Sequence, residues 1–175
     1  MALTPGLRKL VRTAHVTFTV GWLGAVASFL ALAIAGLTSQ DAQIVRAVYL
    51  AMALIFRFVI FPFSFVPLVL TGPLLSIGTS WGLFRHYWIV AKLLINLLST
   101  FLLLLHMQLM NYLSNAAARG TLSSADFGLQ RQLVIISSAA LVVLLVATAL
   151  AVFKPRGVTP YGLRKQREAR QVSQP

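Results

Sequence analysis

Length, composition and charge predict a membrane protein. The 175 residues are 58% hydrophobic and 10% charged, whereas a soluble domain carries about 25% charged residues. Cysteine is absent, which excludes disulfides, thiolate metal sites and cysteine nucleophiles. The net charge of +12 does not indicate a nucleic-acid partner, because the basic residues cluster beside hydrophobic segments, where they set topology and contact anionic lipid.

Four apolar segments reach the roughly 20 residues that a bilayer crossing needs. We therefore predict an all-α fold, a four-helix transmembrane bundle within residues 1–153. The helices are expected at about residues 13–37, 47–75, 87–112 and 132–153. A basic tail over residues 154–175 is expected to be extended or disordered against the membrane surface.

The first segment has the basic start of a secretory signal and an Ala-Ile-Ala sequence at residues 33–35. Its apolar run is longer than the roughly 7–15 residues of a signal core. We therefore expect a permanent helix.

Lysine and arginine placement predicts the orientation. With the N-terminus inside, ten basic residues fall on the inner side and three on the outer side. The positive-inside rule then puts both termini in the cytoplasm, with anionic lipid at the cytoplasmic face. The inner residues are Arg8, Lys9, Arg12, Arg85, Lys154, Arg156, Arg164, Lys165, Arg167 and Arg170, and the outer ones are Arg46, Arg119 and Arg131.

The second segment contains Pro62, Pro67 and Pro73, so we expect it to be kinked or locally broken. Broken helices at membrane depth often line cavities, although a curve that fits neighbouring helices is an equal alternative. A sparse polar stripe of Arg57, Ser64 and Thr71 follows this helix at seven-residue steps.

Two cations lie inside the predicted spans, where a charge normally faces a partner, a cavity or the interface. Lys92 is close enough to the inner boundary to snorkel. Arg57 lies about 15 Å from the outer end, near the midplane. Arg57 is held either by hydrogen bonds, with Asn96, Ser64, carbonyls freed near the prolines or water as acceptors, or by an anionic ligand. The three acids, Asp41, Asp126 and Glu168, all fall outside the spans.

A polar stripe on the third helix is predicted to face the bundle interior. Further candidate ligand-binding residues are Trp22 on the first helix and Trp81 and Arg85 in the connection before the third helix. This connection is either an aromatic belt at the interface or a clamp for an anionic headgroup. The stripe comprises Lys92, Asn96, Ser99, Leu103, His106 and Met110, and the candidate ligand-binding residues are Arg57, Lys92, Asn96, Ser99, Arg85, Trp81 and Trp22.

The histidines indicate a second class of function, the binding of a metal ion or of haem. His106 and Met110 are one turn apart on the third helix, and a histidine with a thioether suits Cu(I). His15 and His86 both lie near the inner face and could hold haem, with arginines on its propionates. Cofactor identity stays open between haem, copper and none.

Catalysis is not expected. No acid within the spans can serve as a general base or a metal carboxylate, and there is no glycine-rich phosphate loop. The leading prediction is a non-enzymatic membrane protein with a cationic interior that binds or passes a small anionic ligand. The alternatives are a haem or copper protein and a structural subunit of a membrane complex, including a homo-oligomer.

Four stretches together resemble a family of uncharacterised actinobacterial four-helix integral membrane proteins. They are TAHVTFTVGWLGAVASFLALA, GLTSQDAQIVRAVYLAM, GTSWGLFRHYWIVAKLL and LLLLHMQ, within residues 8–112. The histidine followed by Trp-x-Gly at residues 15–24 is also similar to copper-resistance D-type membrane domains. The resemblance implies no activity, and it marks His15, Trp22, Trp81, Arg85, His86, Lys92 and His106 as positions to test.

Overall fold

The computed structural model describes residues 4–77, 84–155 and 157–172. Four helices are long and apolar enough to cross a membrane, which is what a multi-pass membrane protein requires. These spans are α1 (Pro5–Thr38), α2 (Ala42–Leu74), α3 (Tyr87–Arg119) and α4 (Phe127–Phe153), and a fifth helix, α5, follows at Pro160–Val172.

The spans run alternately up and down. α1 packs on α2 and α4, and α3 packs on the same two helices from the opposite corner, so that α1 and α3 are diagonal. The start of α1, the start of α3 and the end of α4 consequently share one end of the bundle. We call this the basic end, because most lysines and arginines lie there, and the other the far end. The all-helical fold of the described spans agrees with the sequence prediction.

Close packing between α1 and α2 starts at a glycine near the far end. A Cβ at Gly36 would lie 3.1 Å from a Val48 methyl carbon and 3.2 Å from the Tyr49 ring. Small residues allow membrane helices to approach in this way. Tyr49 and Met52 of α2 and Leu113 of α3 are fully buried beside this contact, so the tightest part of the core lies toward the far end.

Proline is accommodated in α2 without a break. Two π-helical turns, Phe56–Ile60 and Val66–Thr71, alternate with α-helical turns, and the helix continues through Gly72–Ile77. In each π turn an amide bonds the carbonyl five residues back; Gly72 bonds Pro67 in this manner. This pattern suits a chain in which prolines lack the amide that would bond four residues back.

The predicted polar stripe on α2 fails at Arg57. A π turn takes more residues than an α turn, so Arg57, inside the π turn Phe56–Ile60, no longer shares a face with Ser64. Ser64 and Thr71 are buried, at 0% and 7% exposure, whereas Arg57 is exposed.

Two of the three acids organise connections at the far end. Asp41 caps α2 by accepting from the Gln43 amide at 2.7 Å. The Asp126 carboxylate accepts from the Ser123 amide at 3.0 Å and from the Tyr112 hydroxyl at 3.0 Å. Both carboxylates are therefore engaged in hydrogen bonds outside the apolar stretches of the four spans.

The C-terminal tail differs from the prediction. Residues 160–172 form α5 rather than an extended tail, because Thr159 fixes where the helix begins. Its hydroxyl accepts from the Gly162 amide at 3.1 Å and donates to the carbonyl of Phe84, and its amide donates to Arg85. An antiparallel bridge between His86 and Val158 completes this junction.

Gly72→Ala is expected to destabilise the protein, because the new Cβ would lie 2.5 Å from the Pro67 carbonyl oxygen. Overpacking of this kind costs about 1–3 kcal/mol. Gly24→Ala is the matched control, since no atom lies within 4 Å of its Cβ position, and it should leave the melting temperature unchanged or raise it. Thermal unfolding in detergent measures both, and equal effects would refute the close approach.

Asp126→Asn is expected to destabilise in a pH-dependent manner. The Ser123 amide and the Tyr112 hydroxyl, both donating to Asp126, hold the pKa of its carboxyl below the usual value. The stabilisation is therefore fully present above the unfolded-state pKa of about 4 and is lost as the pH falls through the lower folded-state value. The difference in melting temperature between wild type and variant should be constant from neutral pH to about pH 5 and shrink below that. A pH-independent difference would contradict this assignment.

Candidate functional site

A cavity of about 390 Å³ lies between the spans, within the size range of small-molecule sites. All four spans line it, most of the wall comes from α3 and α4, and the exposed wall residues Leu98 and Leu102 show that it opens at the bundle surface. Its wall on α3 extends from Ile95 to Met110, which is about 22 Å of helix. The wall is almost wholly aliphatic and aromatic. The wall includes the predicted candidates Trp22, Ser99, Leu103, His106 and Met110.

His106 has a defined tautomer in this wall. Its Nδ1 lies 2.6 Å from the carbonyl oxygen of Leu102, and because a carbonyl can only accept, Nδ1 must carry the proton. In the neutral ring Nε2 is then a lone-pair acceptor. A backbone carbonyl that holds Nδ1–H is also the usual support of a metal-bound histidine.

Three buried polar atoms have no hydrogen-bond partner among the described residues: Trp22 Nε1, Tyr49 Oη and Thr100 Oγ1. Trp22 is 4% exposed and belongs to the cavity wall. An unpaired buried donor costs about 1–3 kcal/mol. The cavity therefore adjoins a donor that the bundle itself does not satisfy.

One cation, Lys92, lies beside His15 near the basic end. His15 Nδ1 shares a hydrogen bond of 2.8 Å with Thr71 Oγ1, which ties α1 to the second π turn of α2. Lys92 lies within electrostatic range of His15 and is half-buried. No acceptor for its ammonium group is found in the described part of the chain. Lys92 lies three residues before Ile95, so this charge is one turn from the end of the cavity.

Arg57 lies away from the cavity. Its Nη2 donates to Asn111 Oδ1 at 2.6 Å, and the side chain is exposed on the bundle surface. Neither of the side chains named in the sequence analysis as possible acceptors, Asn96 and Ser64, bonds Arg57. Asn111 lies fifteen residues beyond Asn96 and eight residues, about 12 Å, from the end of α3, so the guanidinium is displaced from the midplane toward the far end.

The remaining candidates do not form one site. Asn96 is buried at 9% exposure and does not line the cavity. Arg85 and His86 belong to the segment that pairs with residues 157–159 at the α5 junction. Trp81 lies outside the described residues.

The three histidines also lie in three different places. His15 bonds Thr71, His86 lies beside Val158, and only His106 is in the cavity wall. Within the described ranges there is no group of three or more His, Cys, Asp or Glu residues that could hold a metal ion.

Sequence reasoning missed two features. Asn111 was overlooked because it lies about 100° from the polar stripe on α3, although a polar side chain near the end of a span is a usable signal. The cavity had no signal, because it depends on side-chain shapes from four helices.

Comparison with protein-family models, with curated proteins and with solved structures found no match to this chain. What the site does must therefore be inferred from its own geometry.

Proposed function

We propose that the protein is a non-enzymatic integral membrane protein that binds a small amphipathic anion within its bundle. The hydrocarbon part of the ligand occupies the cavity and its anionic group lies beside Lys92. The observation that carries this proposal is the cavity itself, which all four spans line and which is almost wholly apolar.

The shape of the cavity favours a chain-like ligand. Its wall on α3 is about 22 Å long, and aliphatic side chains offer dispersion contacts to hydrocarbon with no polar group to satisfy. A free inorganic anion has nothing to bind there. Long-chain carboxylates, and lipids with an anionic headgroup, match both the length and the lack of polarity.

Charge favours an anion at the end of the cavity. A half-buried ammonium needs a counter-charge or hydrogen-bond acceptors, and Lys92 finds neither among the described residues. No acid in the chain lies within a span, and Asp126 is bonded to Tyr112 at the far end. An anionic ligand one turn from the cavity would supply the missing charge. Arg57 is left out of this site, because it is absent from the wall and bonds Asn111.

Orientation and location are part of the proposal. The excess of lysine and arginine at the basic end supports a cytoplasmic location for both termini, in a bacterial inner membrane whose anionic lipid contacts α5. The resemblance to actinobacterial four-helix proteins supports the same location and adds no activity.

A brominated stearate should quench Trp22 fluorescence saturably in a variant whose other two tryptophans are phenylalanine. Trp22 lies in the cavity wall, so a bromine on the bound chain would come close to the indole. Ala140→Phe narrows the cavity and should abolish the saturable quenching. Ala149→Phe, on the exposed side of the same helix, is the matched control and should leave it intact. Equal quenching in both variants would rule out the cavity as the site.

Lys92→Met should weaken stearate binding by about tenfold, the order expected for a lost charge-assisted hydrogen bond. Binding of the brominated methyl ester, which has the same chain without the charge, should not change in this variant. Loss of both ligands would assign Lys92 a structural role, and no change in either would remove it from the site.

Copper is the second candidate, and one observation favours it. The Nδ1–H bond from His106 to Leu102 leaves Nε2 as a lone pair, and the Met110 thioether lies one turn away in the same wall. This pair suits Cu(I). Haem on His15 and His86 remains a proposal, as does a role as a subunit of a larger membrane complex.

Metal analysis and absorbance of the purified protein test both cofactors. If copper is bound, protein from copper-supplemented cells should contain it in stoichiometric amounts and lose it in both His106→Leu and Met110→Leu. A Soret band lost in His15→Ala or His86→Ala would assign haem. Colourless, copper-free protein would retire both alternatives.

A further inference from the structure

The exposed Arg57 side chain carries an inference independent of the cavity. Its guanidinium has five N–H donors, and one acceptor, Asn111 Oδ1, is present for it among the described residues. Asn111 is neutral, so the positive charge is unbalanced. A cation on the surface of a span is costly unless a partner balances it.

The apolar surroundings of the Arg57 backbone favour a protein partner over a lipid headgroup, although the guanidinium extends toward the far end to reach Asn111. Ten consecutive apolar residues, numbers 47–56, separate it from Arg46, which is about 16 Å of helix between the two α-carbons. The flanking side chains on the same surface are large and apolar: Leu54 is 59% exposed and Phe58 is 70% exposed. A phosphate belongs to the headgroup layer beyond this apolar stretch.

We propose that this surface docks a transmembrane helix of another protein that carries an Asp or Glu at the depth of Arg57. The carboxylate would form a bidentate pair with the guanidinium, which is the geometry that Arg favours, while Leu54 and Phe58 pack against the partner helix. A second copy of this chain is not the partner, since none of its spans contains a carboxylate. The carboxylate must come from outside.

A designed peptide tests this without knowledge of the natural partner. The probe is a single Leu/Ala transmembrane helix with one Glu at the depth of Arg57, and the control peptide has Gln at that position. Energy transfer between labelled protein and labelled peptide is measured in phosphatidylcholine vesicles. The Glu peptide should associate about fivefold to thirtyfold more strongly than the Gln peptide, the range for polar contacts between model helices.

Variants assign the preference to one side chain. Arg57→Gln should abolish it and Arg57→Lys should retain part of it, because a point charge remains without the fork geometry. Arg46→Gln, on the same helix outside the apolar stretch, should leave it unchanged. Melting temperatures show that each variant is folded, and the Lys variant keeps the test valid if the Gln variant is not.

Two results would overturn the proposal. Equal association of the Glu and Gln peptides with wild type would show that Arg57 does not select a carboxylate. In vesicles that also contain phosphatidylglycerol, an Arg57-dependent enrichment of this lipid around the protein, without any peptide preference, would assign the charge to lipid phosphate instead.

Discussion

A bilayer offers no water to polar groups in its core, and in this chain no carboxylate lies within a span to balance a cation. Several side-chain donors in the spans instead hydrogen-bond the carbonyl oxygen four residues earlier on their own helix. Ser137 donates to the Leu133 carbonyl at 2.6 Å, and Thr148 donates to the Leu144 carbonyl at 2.8 Å. His106 Nδ1 bonds the Leu102 carbonyl in the same way. Such local bonds satisfy neutral groups. They cannot neutralise a charge, so Arg57 and Lys92, the two cations inside the apolar stretches of the spans, differ from the neutral polar residues around them.

The two cations are treated differently because they occupy different parts of the architecture. Lys92 lies among helices near the basic end, beside His15 and one turn from an apolar cavity. Arg57 is on the outer surface, turned there by the π-helical register of α2, and meets one neutral acceptor. An internal charge next to an empty space points to a small ligand, whereas an external charge among exposed aromatic and aliphatic residues points to another helix.

How much the sequence could predict follows from what each feature depends on. Hydropathy located four helices because length and apolarity alone define a span, although α1 begins at Pro5 and α3 continues to Arg119, beyond the predicted limits. The predicted stripe on α3 lies along the cavity at Ser99, Leu103, His106 and Met110, and its role in ligand binding stays a prediction. The stripe on α2 failed at Arg57, because it assumed a constant 100° step and the π turn Phe56–Ile60 interrupts that step. Asn111 could not be matched to Arg57 without knowing the relative heights of α2 and α3, and these depend on packing.

The junction between Thr159 and Phe84 joins residues 75 positions apart in the chain. During synthesis the segment before α3 emerges long before residues 157–159 exist, and domains acquire their contacts as the chain becomes available. Backbone groups of Arg85 and Tyr87 that bond Thr159 and Gly157 in the finished protein therefore lack these partners until α4 has crossed the membrane. Closure of this junction therefore follows the insertion of α4, and a chain truncated before residue 157 would lack the hydrogen bonds that tie Gly157 and Thr159 to the start of α3.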